Sequence, residues 1–491
     1  MTEVARIQDQ MRPRFGVPGF GVSGFTIIGA MMKTSVLVTV VGCLTAGVVT
    51  AQTQTPANQL AREVFKELIE INTTDSSGNT TTAAEAMAAR LKAAGFLADD
   101  IQVLGPNPRK GNLIVRYRGT GAKRPLLLLA HTDVVEARRE DWSVDPFTFL
   151  EKDGYFYGRG TSDDKAQAAI WIANLIRYKQ EGFRPNRDLI VALTADEEGG
   201  DFNGVSWLLN NHRDLIDATY ALNEGGGGQI KNGRYLLNEV QASEKVYVSF
   251  RFEATNAGGH SSLPVKDNAV YHLAAGLTRV GAYDFPVKLN DVTRAYFMRM
   301  SKLESGQAAA DMLGVTSTPP DPTAIERLSH SPFYNAELRT TCVATRLEGG
   351  HADNALPQSA RATVNCRMLP GESPDDIQAT LQKIVADEGI TVTTIGQANP
   401  SPPAPLLPEL MQAVDRITAD MWPGIPVVPS MGTGATDGLY LRKAGIPTFG
   451  VSGLFGDIDD NREHGRDERM GVRQFYEGQE FLYRLVKVLG S

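Results

Sequence analysis

The sequence predicts an α/β fold in which a mainly parallel sheet is interrupted by a smaller α+β unit. Three observations carry that expectation. Short, continuous apolar runs alternate with segments of helical apolar spacing, as expected for strands buried on both faces between crossover helices. Near Gln241 the pattern changes to strands that alternate apolar and polar residues, as in an antiparallel sheet with one wet face. The first pattern returns after a Pro-rich stretch at 399–405. The chain has 491 residues, more than one ordinary core holds, so two domains are expected.

In chain order, 58–73 and 82–96 have helical spacing, with Thr82 placed to cap the second helix. Residues 125–135 read as a buried strand and 164–182 as a long amphipathic helix, followed by strands at 188–195 and 218–223. Residues 246–254 (VYVSFRFEA) alternate, and a helix follows at about 269–280. A polar, Pro-bearing stretch spans about 286–335. Strands are expected at 338–347, 360–368 and 390–395, with a helix at 374–388. A strand at 446–451 and a helix at 472–489 close the chain. The expected division is a catalytic domain from 52–241 and 400–491, with the insert at 242–399.

The N-terminus has the form of a secretory signal. Lys33 precedes an apolar run from Val36 to Val41, and small residues lead to Ala51, the expected cleavage point. Residues 1–30 precede a natural start at Met31 or Met32. The expectation is export to a periplasm or the exterior; a membrane anchor and a lipoprotein with lipid on Cys43 are the alternatives. Export permits a bond between Cys342 and Cys366, and two free core thiols fit equally well.

Composition is ordinary for a globular chain, with 42% apolar and 22% charged residues and a formal net charge of −8. No basic run or face suggests a nucleic-acid partner, so a small molecule or a peptide is the better expectation.

Four segments place His, Asp or Glu directly after an apolar strand, where open α/β sheets bind ligands. They are Leu129-Ala130-His131-Thr132-Asp133, Gly158-Arg159-Gly160-Thr161-Ser162-Asp163-Asp164-Lys165, Thr194-Ala195-Asp196-Glu197-Glu198-Gly199-Gly200 and Leu222-Asn223-Glu224-Gly225-Gly226. Glu463-His464-Gly465-Arg466-Asp467-Glu468 adds a downstream cluster. Residues two apart in a strand face one side, so His131 and Asp133 either share a metal or Asp133 orients His131. A strand-end acid taken singly is usually a cap or a surface residue. Acids gathered at successive strand ends repel one another unless cations compensate, and His with carboxylates suits zinc.

The ordered set HTD, GRGTSDDK, TADEEGG, NEGG, GGHSSLP, NALP, NCRMLPG, GTGATDG and EHGRDER resembles the zinc peptidase family of aminoacylase, carboxypeptidase G, carnosinase and succinyl-diaminopimelate desuccinylase. It is most similar to the branch with yeast carboxypeptidase S, and the likeness runs over about 58–490. The resemblance implies a metallopeptidase or amidohydrolase that cleaves an amide in small peptides or N-acyl amino acids. It implies two Zn2+ per chain, with Co2+ or Mn2+ as substitutes, and an insert acting as a lid or as the contact of a homodimer. Carried over by motif, Asp163 bridges both metals, His131 and Glu224 complete one site, and Glu198 and His464 the other. Glu197 is the general base and Asp133 holds the tautomer of His131. A water between metals ~3.5–4 Å apart loses a proton easily, and Glu197 takes that proton and passes it to the leaving amine. In the insert, His260 matches a histidine that helps bind the oxyanion, Asn354 a substrate-binding asparagine, and Arg367 an arginine that grips a substrate carboxylate. His212, His272, His330 and His351 lack such context and are expected to be structural.

Ala166 stands where the family often has Gly, Gly259 follows Gly258 rather than Pro before His260, and Glu224 stands where Asp is common. None of these removes an expected ligand. Two competing readings are a catalytically inactive exported peptide-binding protein on the same scaffold and a TIM-barrel amidohydrolase.

Overall fold

The computed structural model describes residues 55–491; the signal-like segment, its expected cleavage point and Cys43 lie outside them. The large sheet has ten strands. At its centre Leu189–Thr194, Leu126–His131, Tyr220–Asn223 and Thr448–Gly450 lie side by side and parallel. Ile101–Leu104 and Asn112–Tyr117 extend it antiparallel on one side. On the other, Arg234–Glu244 pairs antiparallel with Gly228–Lys231 and parallel with Val427–Gly432. This open, partly antiparallel sheet excludes a TIM barrel.

Every residue of Leu126–His131 and Leu189–Thr194 is buried. Alternate side chains feed two cores. Leu126, Leu128 and Ala130 join one with helices Pro56–Glu70, Lys165–Gln180 and Val472–Leu489, while Leu127 and Leu129 join the other with Gly204–Asn211. Lys165–Gln180 is buried along most of its length, and Trp171 donates its indole N–H to the Leu129 carbonyl at 3.0 Å.

A second, four-stranded sheet has the order Thr341–Gly349, Ser359–Met368, Val246–Thr255, Ile390–Ile395, antiparallel throughout. Helices Ala269–Gly281 and Pro374–Val385 cover one face over a core of its own, including Phe250, Phe252, Val364 and Leu381. Cys342 and Cys366 sit opposite each other in register and are disulfide-bonded.

The polar, Pro-bearing stretch at about 286–335, to which the sequence assigned no element, contains the helices Asp291–Met300, Gly306–Val315, Pro322–Ser329 and Pro332–Leu338. Their prolines stand at the first helical turn, where the missing N–H costs nothing, with Asp321 and Ser331 as caps. These helices share a core with Leu237 and Val428 of the large sheet. The helix expected at 82–96 runs Thr80–Ala93, and its cap is Asn79 rather than Thr82: the Asn79 side chain accepts the Thr82 N–H. The strands Arg234–Glu244 and Val427–Gly432 were absent from the sequence expectation; Pro429 obscures the second.

Candidate metal centre and active site

The expected ligands converge at the carboxyl ends of the parallel strands. His131 ends its strand, Glu224 follows Tyr220–Asn223, and Glu197 and Glu198 follow Leu189–Thr194. Asp163 lies in the loop before helix Lys165–Gln180, and His464 in the loop before strand Arg469–Gly471.

Asp163 stands between the two histidines. Its Oδ1 is 2.8 Å from His131 Nε2, and its Oδ2 is 3.1 Å from His464 Nε2. Glu224 lies 3.5 Å from the same nitrogen of His131, and Glu198 2.9 Å from the same nitrogen of His464. The five residues thus form two half-sites sharing one carboxylate. Ligand-capable atoms of His131, Glu197 and Glu224 fall within 4.8 Å of one another, as do those of His131, Asp163 and Glu198. His131 Nδ1 faces the Asp133 carbonyl at 3.0 Å and the Asp133 carboxylate at 3.5 Å, so the backbone makes the shorter contact. The other Asp133 oxygen accepts the Glu198 N–H at 3.0 Å.

The electrostatics match a site built for cations. Burial, with Glu224 and Asp437 as like-charged neighbours, pushes the Glu197 carboxyl up to about 11. Burial likewise raises Glu198 and Glu224 to about 7 each. Burial also opposes the charge on Asp163, yet the hydrogen bonds from His131 and His464 hold its carboxyl well below the usual range. His464, hydrogen-bonded to Asp163 and facing Glu198, is raised to about 9. Buried carboxylates this dense need positive charge to ionise together, and imidazole with carboxylate is a donor set that divalent ions satisfy.

Two supports were not identified from the sequence. The buried Glu468 carboxylate accepts Arg159 Nη1 at 2.7 Å and the backbone N–H groups of Gly160, Ser162 and Asp163 at 3.0, 2.6 and 3.2 Å. It therefore fixes the loop carrying Asp163 to the segment carrying His464. Asp437, in the GTGATDG segment, accepts Asn203 Nδ2 at 2.6 Å and Thr194 Oγ1 at 3.0 Å, and Asn203 also donates to the Asp196 carbonyl. Both lie in motifs named from the sequence, EHGRDER and GTGATDG, in which only His464 carries an expected role.

Of the insert residues, Arg367 donates to the Thr433 carbonyl at 3.3 Å, beside the GTGATDG loop, and stacks over Tyr247. His260 pairs with Ala355 in a two-stranded ribbon, and the Asn354 carbonyl accepts the Ser261 N–H. Among the described residues neither His260 nor Asn354 is hydrogen-bonded to the cluster. His212 packs on Trp207, His272 bonds Asp267 and Asp387, and His330 faces the Glu326 carbonyl. A cavity of about 640 Å3 adjoins Asp163, Asp164 and Glu224.

Comparison with known proteins agrees with this geometry. The chain is 27% identical over 375 residues to human N-fatty-acyl-amino acid synthase/hydrolase PM20D1, covering 74% of each chain. It is 27% identical over 385 residues to human aminoacylase-1, covering 74% of this chain and 80% of that one. Its fold superposes on the M20 family metallo-carboxypeptidase Sso-CP2 of Sulfolobus solfataricus with a TM-score of 0.65 at 17% identity, over 87% of this chain and 98% of the other. Residues 127–488 match the model of peptidase family M20/M25/M40, and the chain belongs to that family of metallohydrolases.

Proposed function

We propose that this protein is a dinuclear zinc hydrolase that cleaves the amide of N-acyl amino acids or small peptides, with Glu197 as general base. The observation that carries the reading is the placement of Asp163, one carboxylate oxygen toward His131 and the other toward His464. That is how a carboxylate is set to bridge two ions. His131 and Glu224 would hold one ion, and His464 and Glu198 the other. Two such ions would supply Lewis acidity to the attacking water and to the scissile carbonyl. Glu197, adjacent in sequence to a ligand but outside the proposed set, takes the proton from that water and delivers it to the departing nitrogen. Asp133 fixes the ring of His131 and, through the Glu198 N–H, the loop carrying the base. Retention of Glu197 beside every proposed ligand leaves the inactive binding-protein alternative without support.

Arg367 binds the substrate's free carboxylate, for which its planar fork is suited. This favours N-acyl amino acids and peptides with a free C-terminus, in keeping with the names of the relatives. His260 and Asn354 serve the substrate when the insert approaches the cluster or when a second copy presents them. The N-terminal segment directs export.

The test is elemental analysis of the purified protein together with hydrolysis of N-acyl amino acids and dipeptides, before and after chelation. About two zinc ions per chain, with turnover abolished by chelator and restored by metal, are expected. Full turnover in metal-free protein contradicts the proposal.

A further inference from the structure

Asp196, the residue before Glu197, has a left-handed backbone conformation with φ 58°. A residue other than glycine seldom adopts it and keeps it where the surroundings fix it. Here the Asp196 carbonyl accepts Asn203 Nδ2 at 3.2 Å, and one carboxylate oxygen accepts the Phe202 N–H at 3.3 Å. The other oxygen accepts the ammonium of Lys110, the cation paired with Asp196. Asp196 is only 3% exposed, so without Lys110 its carboxylate would be a charge stranded in the protein.

Lys110 is itself buried and lies in the turn between Ile101–Leu104 and Asn112–Tyr117. The first turn of helix Thr80–Ala93 holds the residues on either side of it. The Arg109 carbonyl accepts the Thr80 N–H at 3.0 Å, and Gly111 donates its N–H to Thr81 Oγ1 at 2.8 Å. The backbone there has no room to shift: a Cβ on Gly105 would collide with the Lys110 carbonyl, and one on Gly111 would meet Thr81 Oγ1 at 2.6 Å. The Lys110 ammonium also donates at 2.6 Å to Asp75, whose neighbour Thr74 is bridged to Val134, the residue after Asp133. Lys110 is thus a fixed post whose charged end reaches the loop carrying Glu197 and Glu198. Asp437 holds the same loop through Asn203 and has no contact with Lys110.

We propose that Lys110 is a positioning residue for the general base: through Asp196 it fixes the backbone from which Glu197 departs, and so sets where the Glu197 carboxylate stands. The proposal rests on the reading of Glu197 as the base. A misplacement of about 1 Å at a reacting group costs roughly a hundredfold in rate, so loss of Lys110 lowers kcat more than it raises KM.

The experiment compares the metal-loaded full chain with Lys110→Met and with Lys110→Met/Asp196→Asn, using Glu197→Gln as the reference. The double variant removes the charge that the single one strands, and asparagine tolerates the left-handed conformation. Steady-state kinetics on one N-acyl amino acid, the melting temperature and amide hydrogen exchange of residues 196–203 are measured for each. For the double variant the expected result is a melting temperature recovered toward native, with kcat still roughly 10–100-fold down and KM within about threefold. Exchange at 196–203 is expected to be roughly tenfold faster, and elsewhere in the large sheet unchanged. If Lys110 serves stability alone, activity returns together with the melting temperature, and that result overturns the proposal, as does unchanged exchange. Should Lys110→Met not fold, the double variant decides by itself. If Glu197→Gln keeps turnover near native, the reading of the base has failed; faster exchange at 196–203 then upholds the anchoring of the loop by Lys110, and unchanged exchange overturns it.

Discussion

The backbone N–H of Asp163 donates to the carboxylate of Glu468 at 3.2 Å. The residue between the two histidines is therefore set by a side chain from the segment that carries the second one. Because Glu468 also takes the N–H groups of Gly160 and Ser162 and a charged bond from Arg159, it holds both half-sites in one frame. Glu468→Gln turns one acceptor oxygen into a donor facing donors. The expected outcome is a roughly 10–100-fold loss of metal affinity, read by metal titration of the folded protein. Unchanged affinity with only a lower melting temperature would show that Glu468 serves stability alone.

Asp437 ties Asn203 and Thr194 together, and Asn203 reaches back to the Asp196 carbonyl just before Glu197. Asp437→Asn puts an amide against the Asn203 amide and loosens the loop carrying Glu197, the proposed base. A fall in kcat of roughly a hundredfold, with KM changed much less, is expected from steady-state kinetics. A change confined to KM would move Asp437 from the base to substrate binding.

Arg367→Ala removes the proposed partner of the substrate carboxylate. For substrates with a free carboxylate kcat/KM falls about 10–100-fold, and for their carboxamide analogues it changes little. Equal losses for both would place the carboxylate elsewhere.

Glu337 is buried with neither carboxyl oxygen hydrogen-bonded among the described residues, and burial pushes its carboxyl up to about 8, against the partial relief of Lys245. A carboxyl raised on folding contributes its stability in full below its ordinary value near 4.5, and loses that contribution as pH climbs to about 8. Glu337→Gln has no such dependence. Thermal melts at pH 5 and pH 8.5 are expected to show the variant gaining on the native protein by a few degrees at the higher pH. A constant difference across that range contradicts the assignment.

Much of the large sheet was legible because buried parallel strands are continuous apolar runs, and the runs at 126–131, 189–194 and 220–223 end at chemistry-bearing residues. Val472–Leu489 and Ile390–Ile395 were legible to the residue, one from its apolar stripe and the other from its alternation. The helices from Asp291 to Leu338 were not, since each is short and two open on proline, which in sequence reads as a breaker. Arg234–Glu244 was missed because its outer half is partly exposed, which breaks the apolar run. In the site, the directly converging residues stood in motifs with recognisable spacing. Glu468 and Asp437 act through other residues, and a sequence separation of 309 conceals the contact of Arg159 with Glu468 until the chain folds. Pairing of Cys342 with Cys366 was equally undecided until their strands were seen in register.

The central claim is that Glu197 moves the proton while the surrounding residues hold the metals, and Glu197→Gln tests it most directly. The variant is purified beside the native protein, and both are assayed for bound zinc and for hydrolysis of one N-acyl amino acid. The account predicts native metal content with turnover reduced at least about a thousandfold. Native metal content with turnover within about tenfold of the native protein would contradict it, and would show that Glu197 is not the base.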